Sequence, residues 1–328
     1  MRKKALYITD RLDEIYSPAL QLRVEMLVDL VAPPQSSDIA KRAPELLHDV
    51  EIILSGWGPP VLDRDFLSAA PRLEAFFYAA GCIQYPVTSA VWDRKITVCS
   101  SVYVNSIPVA EYTLAQILLA LKHTCQAADE YRQKRAKVYS LSEVSGAYGG
   151  IVGLIGLGNV SRILMDLLRP FDIQVLACDP KLGEDEIRSL GAESRSMEEI
   201  FAMSDVVSLH ASNIPSTRGM ITGSLLRSMK TGSTFINTSR GSLVREDDLA
   251  DVMLSRPDLL AILDVTDPEP PLPSSPLWTV PNIHLTPHIA GSQGRERFRV
   301  GKAMVDDLER YLNGKPLKWQ VQPPGSNR

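Results

Sequence analysis

The stretch Ile151-Val-Gly-Leu-Ile-Gly-Leu-Gly-Asn-Val-Ser161 decides the fold. Its first five residues predict a buried strand. The chain then runs through Gly156-x-Gly158-x-x-Ser161 into a helix whose Val160, Ile163, Leu164, Leu167 and Leu168 share one face before Pro170 stops it. Gly156 permits the tight turn, and Gly158 lets backbone approach a pyrophosphate held at the helix N-terminus, beside Asn159 and Val160. The third position is Ser161 where glycine is usual, which slightly crowds helix against strand. Past it, Asp179 ends the next apolar run, where a carboxylate can accept from the adenosine ribose hydroxyls and repel a 2′-phosphate. That pattern favours NAD over NADP. The rival reading makes the glycines a mere turn and Asp179 a cap. A methyltransferase can use a similar loop, so the glycines alone do not establish redox chemistry.

Outward from this loop, strand-like runs recur at Ile151–Gly156, Ile173–Cys178, Asp205–His210, Ser233–Thr238, Leu260–Val265 and Asn282–Thr286, with helical stretches between several of them. Parallel βαβ units are the expected result, giving a Rossmann doubly wound parallel sheet. Ser196 and Glu199 have the spacing of a capping box, and Glu246, Asp247 and Asp248 place carboxylates in the first turn of a helix expected over 246–256. Upstream, Ala5–Thr9, Glu51–Leu54, Leu73–Tyr78 and Ile96–Ser100 read as strands of a second, smaller flavodoxin-like α/β unit. A single helix is expected over Glu111–Gln126, with Leu114, Ile117, Leu118 and Leu121 on its buried face. The residues from Ala128 to Tyr148 turn polar, and the end, Gln322–Arg328, reads as disordered.

The bulk numbers exclude several function classes. A chain of 328 residues, 45% hydrophobic and 23% charged, is ordinary globular material long enough for two domains. The net charge of −4 is too mild for a nucleic-acid partner. Cys82, Cys99, Cys125 and Cys178 lie far apart without a CxxC pair, so neither a metal site nor a disulfide framework is expected, and a reducing cytoplasm is the simplest compartment. The start has too few apolar residues for a signal-peptide core, and the apolar segment Thr113–Leu121 is too short to span a membrane.

Three ionisable residues follow expected strand ends, where ligands bind parallel sheets. Arg240, in Asn237-Thr-Ser-Arg-Gly241, offers a planar fork of donors that can clamp a carboxylate and polarise an adjacent oxo group. His288, in Thr286-Pro-His-Ile-Ala-Gly291, can give and take a proton near neutral pH. Glu269, in the Pro-rich run after Asp264, can orient an imidazole and favour its protonated form. Taken singly, each reads as a surface charge, a structural histidine such as His48, His123 or His284, and a solvated loop residue.

As an ordered set, Gly156-x-Gly158, Asp179, Asn237-Thr-Ser-Arg240-Gly, Asp264 with Glu269-Pro, and Pro-Leu-Trp278 with Thr-Pro-His288 resemble the D-isomer-specific 2-hydroxyacid dehydrogenase family, from about Leu54 to Leu312. The resemblance implies an NAD-dependent oxidoreductase acting on a small 2-oxo or 2-hydroxy acid, with Arg240 binding substrate, His288 as acid/base and Glu269 as its partner. It also implies that His210, Ser212, Thr217, Thr238, Ser239, Asp264 and Gly291 line the cofactor along with Arg240 and His288. Residues 1–112 and 289–328 would form the substrate domain, residues 113–288 the NAD-binding domain, and the two would close over the reactants in a homodimer.

The sequence departs from the family in its first domain. The family's Gly-Val-Asp-like turn reads Tyr78-Ala-Ala-Gly-Cys-Ile-Gln-Tyr85, so Ala80 and Gly81 can still donate to a substrate carboxylate, but the acidic residue is missing. In Ser55-Gly-Trp-Gly-Pro59, Trp57 stands where phosphate-handling members carry a cation. It reads equally as an aromatic pocket wall, which argues against 3-phosphoglycerate, and as a loop anchor on the core. Asn105 and Glu111 match the family's Asn-x-x-x-Val-Ala-Glu stretch, read as hinge hydrogen bonding. Two alternatives stand beside the dehydrogenase: an NAD-sensing binding protein, for which an acid/base pair is superfluous, and a formate dehydrogenase, which the resemblance would give glutamine in place of Glu269.

Overall fold

The four apolar runs in the first hundred residues become parallel strands, and a two-residue strand joins them: β1 (Lys4–Ile8), β2 (Asp29–Leu30), β3 (Ile52–Ser55), β4 (Ala75–Tyr78) and β5 (Thr97–Ser100), in the order β2-β1-β3-β4-β5. The computed structural model describes residues 2–136 and 145–324; the expectations for 137–144 and 325–328 lie outside them. Alternate side chains enter two different cores. Leu6, Ile8, Ile53, Phe76 and Val98 pack on one face of this sheet, and Ala5, Tyr7, Ile52, Leu54 and Phe77 on the other. A parallel sheet covered on both faces explains why its strands are apolar throughout and show no alternation. The helix Glu296–Leu312 lends Val300, Met304 and Leu308 to the second of these cores.

The second sheet is built from β6 (Gly150–Ile155), β7 (Ile173–Cys178), β8 (Glu193–Ser194), β9 (Val206–Leu209), β10 (Thr234–Asn237), β11 (Leu260–Leu263) and β12 (Ile283–Leu285). Its order is β12-β11-β10-β9-β6-β7-β8, parallel at every pairing, so the chain winds outward from β6 in both directions as in a doubly wound nucleotide-binding sheet. The two compact units run Met1–Ser106 with Ser292–Arg328, and Ile107–Gly291.

Several local expectations change. The single helix over Glu111–Gln126 is replaced by two helices, Val102–Ala120 and Thr124–Lys134, separated at His123, whose φ of 50° is left-handed and breaks the α-helical path. Its buried stripe is Ala110, Thr113, Ile117, Ala120 and Leu121, while Leu114 and Leu118 are only partly covered. Ser161 does not merely crowd the loop: fully buried, it donates from Oγ to the Gly156 carbonyl at 2.6 Å and ties the helix to the turn. The capping box at Ser196 and Glu199 forms as read. Among the described residues no single helix is long and apolar enough to cross a membrane.

Candidate active site

The glycine turn leaves β6 with Gly156 at φ 87°, which a side chain adopts only with strain; a Cβ there would also lie 2.7 Å from the Ala211 backbone and 2.9 Å from that of His210. Gly158 has open space around it and caps the helix Asn159–Leu168, with no side-chain hydrogen bond on the helix start. Its own side and that of Asn159 are exposed, and Val160 is half-buried. Asp179, just past β7, accepts from the Leu157 amide at 2.8 Å and the Lys181 amide at 2.9 Å, so its carboxylate lies across the mouth of the glycine turn. An uncapped helix N-terminus beside open space, flanked by a carboxylate, fits a dinucleotide's pyrophosphate and ribose.

Around this turn, the other residues expected near the cofactor have distinct local tasks. His210 lies at the end of β9, bonded through Nε2 to Ser208 Oγ at 2.9 Å, and burial lowers its pKa to about 4. It therefore stays neutral at physiological pH and is no candidate acid. Thr217 spends its hydroxyl inside its own turn, donating to the Ser212 carbonyl at 2.7 Å and accepting from the Ile214 amide at 3.0 Å. Ser239 Oγ donates to the Ala211 carbonyl at 2.7 Å, which holds the end of β10 against the loop after β9. Thr238 Oγ1 is 3.3 Å from Thr113 Oγ1.

The carboxyl ends of β10, β11 and β12 are neighbours in the sheet, and Arg240, Glu269 and His288 stand on the loops that follow them. Buried Asn237 shapes the first loop: its side chain donates to the Arg240 carbonyl at 3.0 Å and accepts from the Ser239 amide at 3.0 Å. Arg240 is exposed, hydrogen-bonded through Nη1 to the Ser239 carbonyl at 2.6 Å, and forms no ion pair with a described residue. Its guanidinium is left available for an anion. Gly241 lies so close to the Thr266–Asp267 peptide that any Cβ would collide with it. The loop of Arg240 therefore rests directly on the loop that carries Glu269, which contains cis bonds at Asp267–Pro268 and Glu269–Pro270.

Asp264 organises the third loop. Only 1% exposed, it accepts from Thr286 Oγ1 at 2.6 Å and from the Ile289 and Ala290 amides at 2.8 Å each, while its carbonyl takes the His288 amide at 3.0 Å. Tyr112 Oη extends the network to Thr286 at 3.1 Å. His288 is held in a left-handed conformation, φ 55°, the kind of strain that persists only where surrounding contacts over-determine it. Its Nδ1 lies 2.6 Å from Glu269 Oε1, both side chains being a little under half exposed. An ionised Glu269 requires the proton on Nδ1, which leaves Nε2 as the ring nitrogen for chemistry. Gly291 ends the loop.

The first unit carries Trp57, Ala80 and Gly81. Trp57 packs on both faces of its sheet and lies beneath the Arg297 guanidinium, 5.6 Å from the ring centroid. Arg297 in turn pairs with Glu14 and bonds the Ser292 carbonyl and Gln293. The Ala80 carbonyl accepts from Ser101 Oγ at 3.3 Å and that of Gly81 from Ser100 Oγ at 3.2 Å, which orders the turn after β4. Asn105 accepts from the Ser292 amide at 3.1 Å. Sequence reasoning missed the tasks of Asn237, Thr286, Tyr112 and Gly241. An asparagine at a strand end two residues before a turn, and a glycine directly after the arginine, were the available signals.

Residues 114–290, more than half of the chain, match the family model for the D-isomer specific 2-hydroxyacid dehydrogenase NAD binding domain. A D-3-phosphoglycerate dehydrogenase of Mycobacterium leprae is 29% identical over 94% of this chain, but the chain spans only 56% of that relative, and about half the length of the similar phosphoglycerate dehydrogenases. A glyoxylate reductase of Korarchaeum cryptofilum is 28% identical and covered over 90% of both chains. The solved D-mandelate dehydrogenase of Rhodotorula graminis shares the fold with a TM-score of 0.80 at 22% identity, over 98% of each chain. NAD is the cofactor that goes with a domain of this kind. With the glycine turn, the acidic residue after β7 and the strand-end loops in one parallel sheet, the chain belongs to the D-isomer specific 2-hydroxyacid dehydrogenase family.

Proposed function

We propose that this protein catalyses the reversible NADH-dependent reduction of a small 2-oxo acid to the D-2-hydroxy acid. The observation that carries the reading is the 2.6 Å contact between His288 Nδ1 and Glu269 Oε1, on loops anchored at adjacent strand ends. When bound, NADH supplies the hydride. Arg240 binds the substrate carboxylate and draws electron density from the oxo group. His288 donates the Nε2 proton to the forming alkoxide and recovers it in the reverse direction, while Glu269 stabilises the imidazolium and fixes its ring.

The substrate carries no phosphate. Trp57 stands in the 55–59 loop where phosphate-handling members carry a cation, and the cation over its ring, Arg297, is already paired with Glu14. A cytoplasmic homodimer is the compartment and assembly that accompany this reading. The test is NADH oxidation with a panel of 2-oxo acids, comparing wild type with His288→Ala. Turnover should fall roughly 100- to 10,000-fold with the NADH Kd within a few fold of wild type; equal losses in turnover and cofactor affinity would refute the role of His288.

A further inference from the structure

Glu246 opens the helix Glu246–Ser255 and takes no part in the chemistry described above, yet its Oε1 accepts from the Asp267 amide at 2.7 Å. That amide belongs to the peptide against which Gly241 is packed, and Glu269 stands two residues further on. One peptide thus supports both the Arg240 loop and the Glu269 loop. Thr266 Oγ1, bonded to the Pro268 carbonyl at 2.9 Å, closes the turn around it. We propose that Glu246 is a positioning residue for Arg240 and Glu269: its ionised carboxylate holds the Asp267 amide, and its protonation loosens the support common to both loops. This rests on the dehydrogenase reading.

The surroundings make that carboxylate titratable in a useful range. Half-burial raises its pKa to about 6, and the neighbouring Asp267 and Asp247 push in the same direction, against the Asp267 amide, which favours the charged form. The other charged groups facing it line the same cavity of about 550 Å³, namely Arg218 and Arg245. Arg218 is paired with Asp267 at 3.0 Å, and Arg245 is bonded to the Gly219 carbonyl at 3.1 Å. A neutral carboxyl is a weaker acceptor than a carboxylate, so acidification weakens the hold on Asp267. In the direction of 2-oxo acid reduction the reaction consumes a proton, which acid supplies. A fall in turnover on acidification then has to come from another group.

The experiment compares wild type, Glu246→Gln and Glu246→Ala in two ways. Hydrogen exchange is read at the Asp267 amide, and kcat from pH 7.5 to 5.5 is measured with saturating NADH and whichever of glyoxylate, pyruvate or phenylpyruvate wild type reduces fastest. Glu246→Ala should lower the Asp267 protection factor and kcat at pH 7.5 each by about tenfold, the worth of one charge-assisted hydrogen bond, with the NADH Kd within twofold. Glu246→Gln retains a neutral acceptor and should resemble acidified wild type, with kcat reduced about threefold and independent of pH on the acid side. Unchanged Asp267 exchange in Glu246→Ala, or an acid-side fall that persists undiminished in Glu246→Gln, overturns the proposal. A wild type inactive on all three acids would instead refute the dehydrogenase reading, while the exchange comparison still decides whether Glu246 holds Asp267.

Discussion

Replacing Asp264 tests how His288, the proposed acid/base, is held. The native carboxylate is 1% exposed and satisfies Thr286 Oγ1 and two backbone amides. Hydrogen bonds to a charged group contribute roughly 1.5–3 kcal/mol each, but removing the side chain also removes the cost of keeping a carboxylate out of water. Three bonds against that one relief leave a loss of about 2–4 kcal/mol for Asp264→Ala. Asparagine does not restore it: with Oδ1 kept for Thr286 and Ile289, its NH2 group meets the Ala290 amide donor to donor, and one buried N–H goes unsatisfied at about 1–3 kcal/mol. Urea unfolding followed by circular dichroism should place both midpoints below wild type, by about 1 M for alanine at an m-value of roughly 2–3 kcal/mol/M. The same loss frees His288 from its strained φ of 55°, so kcat with NADH and a 2-oxo acid should fall more than NADH affinity does. A variant Asp264→Ala that loses less than about 0.5 kcal/mol, or an Asp264→Asn variant with wild-type kcat, would refute this account of the loop.

If the carboxylate bonded to the Leu157 amide repels a 2′-phosphate, Asp179→Ala should narrow the preference for NADH over NADPH by about tenfold or more; kcat/KM with each cofactor measures it, and an unchanged ratio counts against the assignment. His210 has a folded pKa lowered from 6.5 to about 4, so its contribution to stability is fully present above pH 6.5 and is lost as pH falls through 4. From pH 7 to 4.5 wild type should therefore lose about 2 kcal/mol more stability than His210→Gln, read from denaturant midpoints at the two pH values.

Much of this protein was legible before any coordinates. Ten strands could be read because each is a short apolar run bounded by polar or turn residues; β2 and β8, two residues long, are too short to carry a pattern. The break at His123 escaped because no Pro or Gly marks it: the apolar spacing on either side suits one continuous helix, and packing decides otherwise. Arg240, Glu269 and His288 could be singled out as candidates from motifs, and the structure places them after adjacent strand ends. Their supports could not, because Asp264 reaches Ile289 and Ala290, Glu246 reaches Asp267, and Gly241 meets Thr266 across gaps of 21 to 26 residues that only the sheet closes.

The amino-acid order by itself determined the class of fold, the glycine turn and the identity of the ionisable groups, because strand burial, turn geometry and charge are local properties of residue type. Only the tertiary structure decided that Ser161 is a tie, that Thr217 is occupied within its own turn, and that Asp264 and Glu246 bond amides on distant loops. The Asp264 and Glu246 bonds depend on which donor finds which acceptor once parallel strands from distant parts of the chain lie side by side; the Ser161 and Thr217 bonds depend on the exact backbone path of their own turns, and a linear pattern of residue types contains neither.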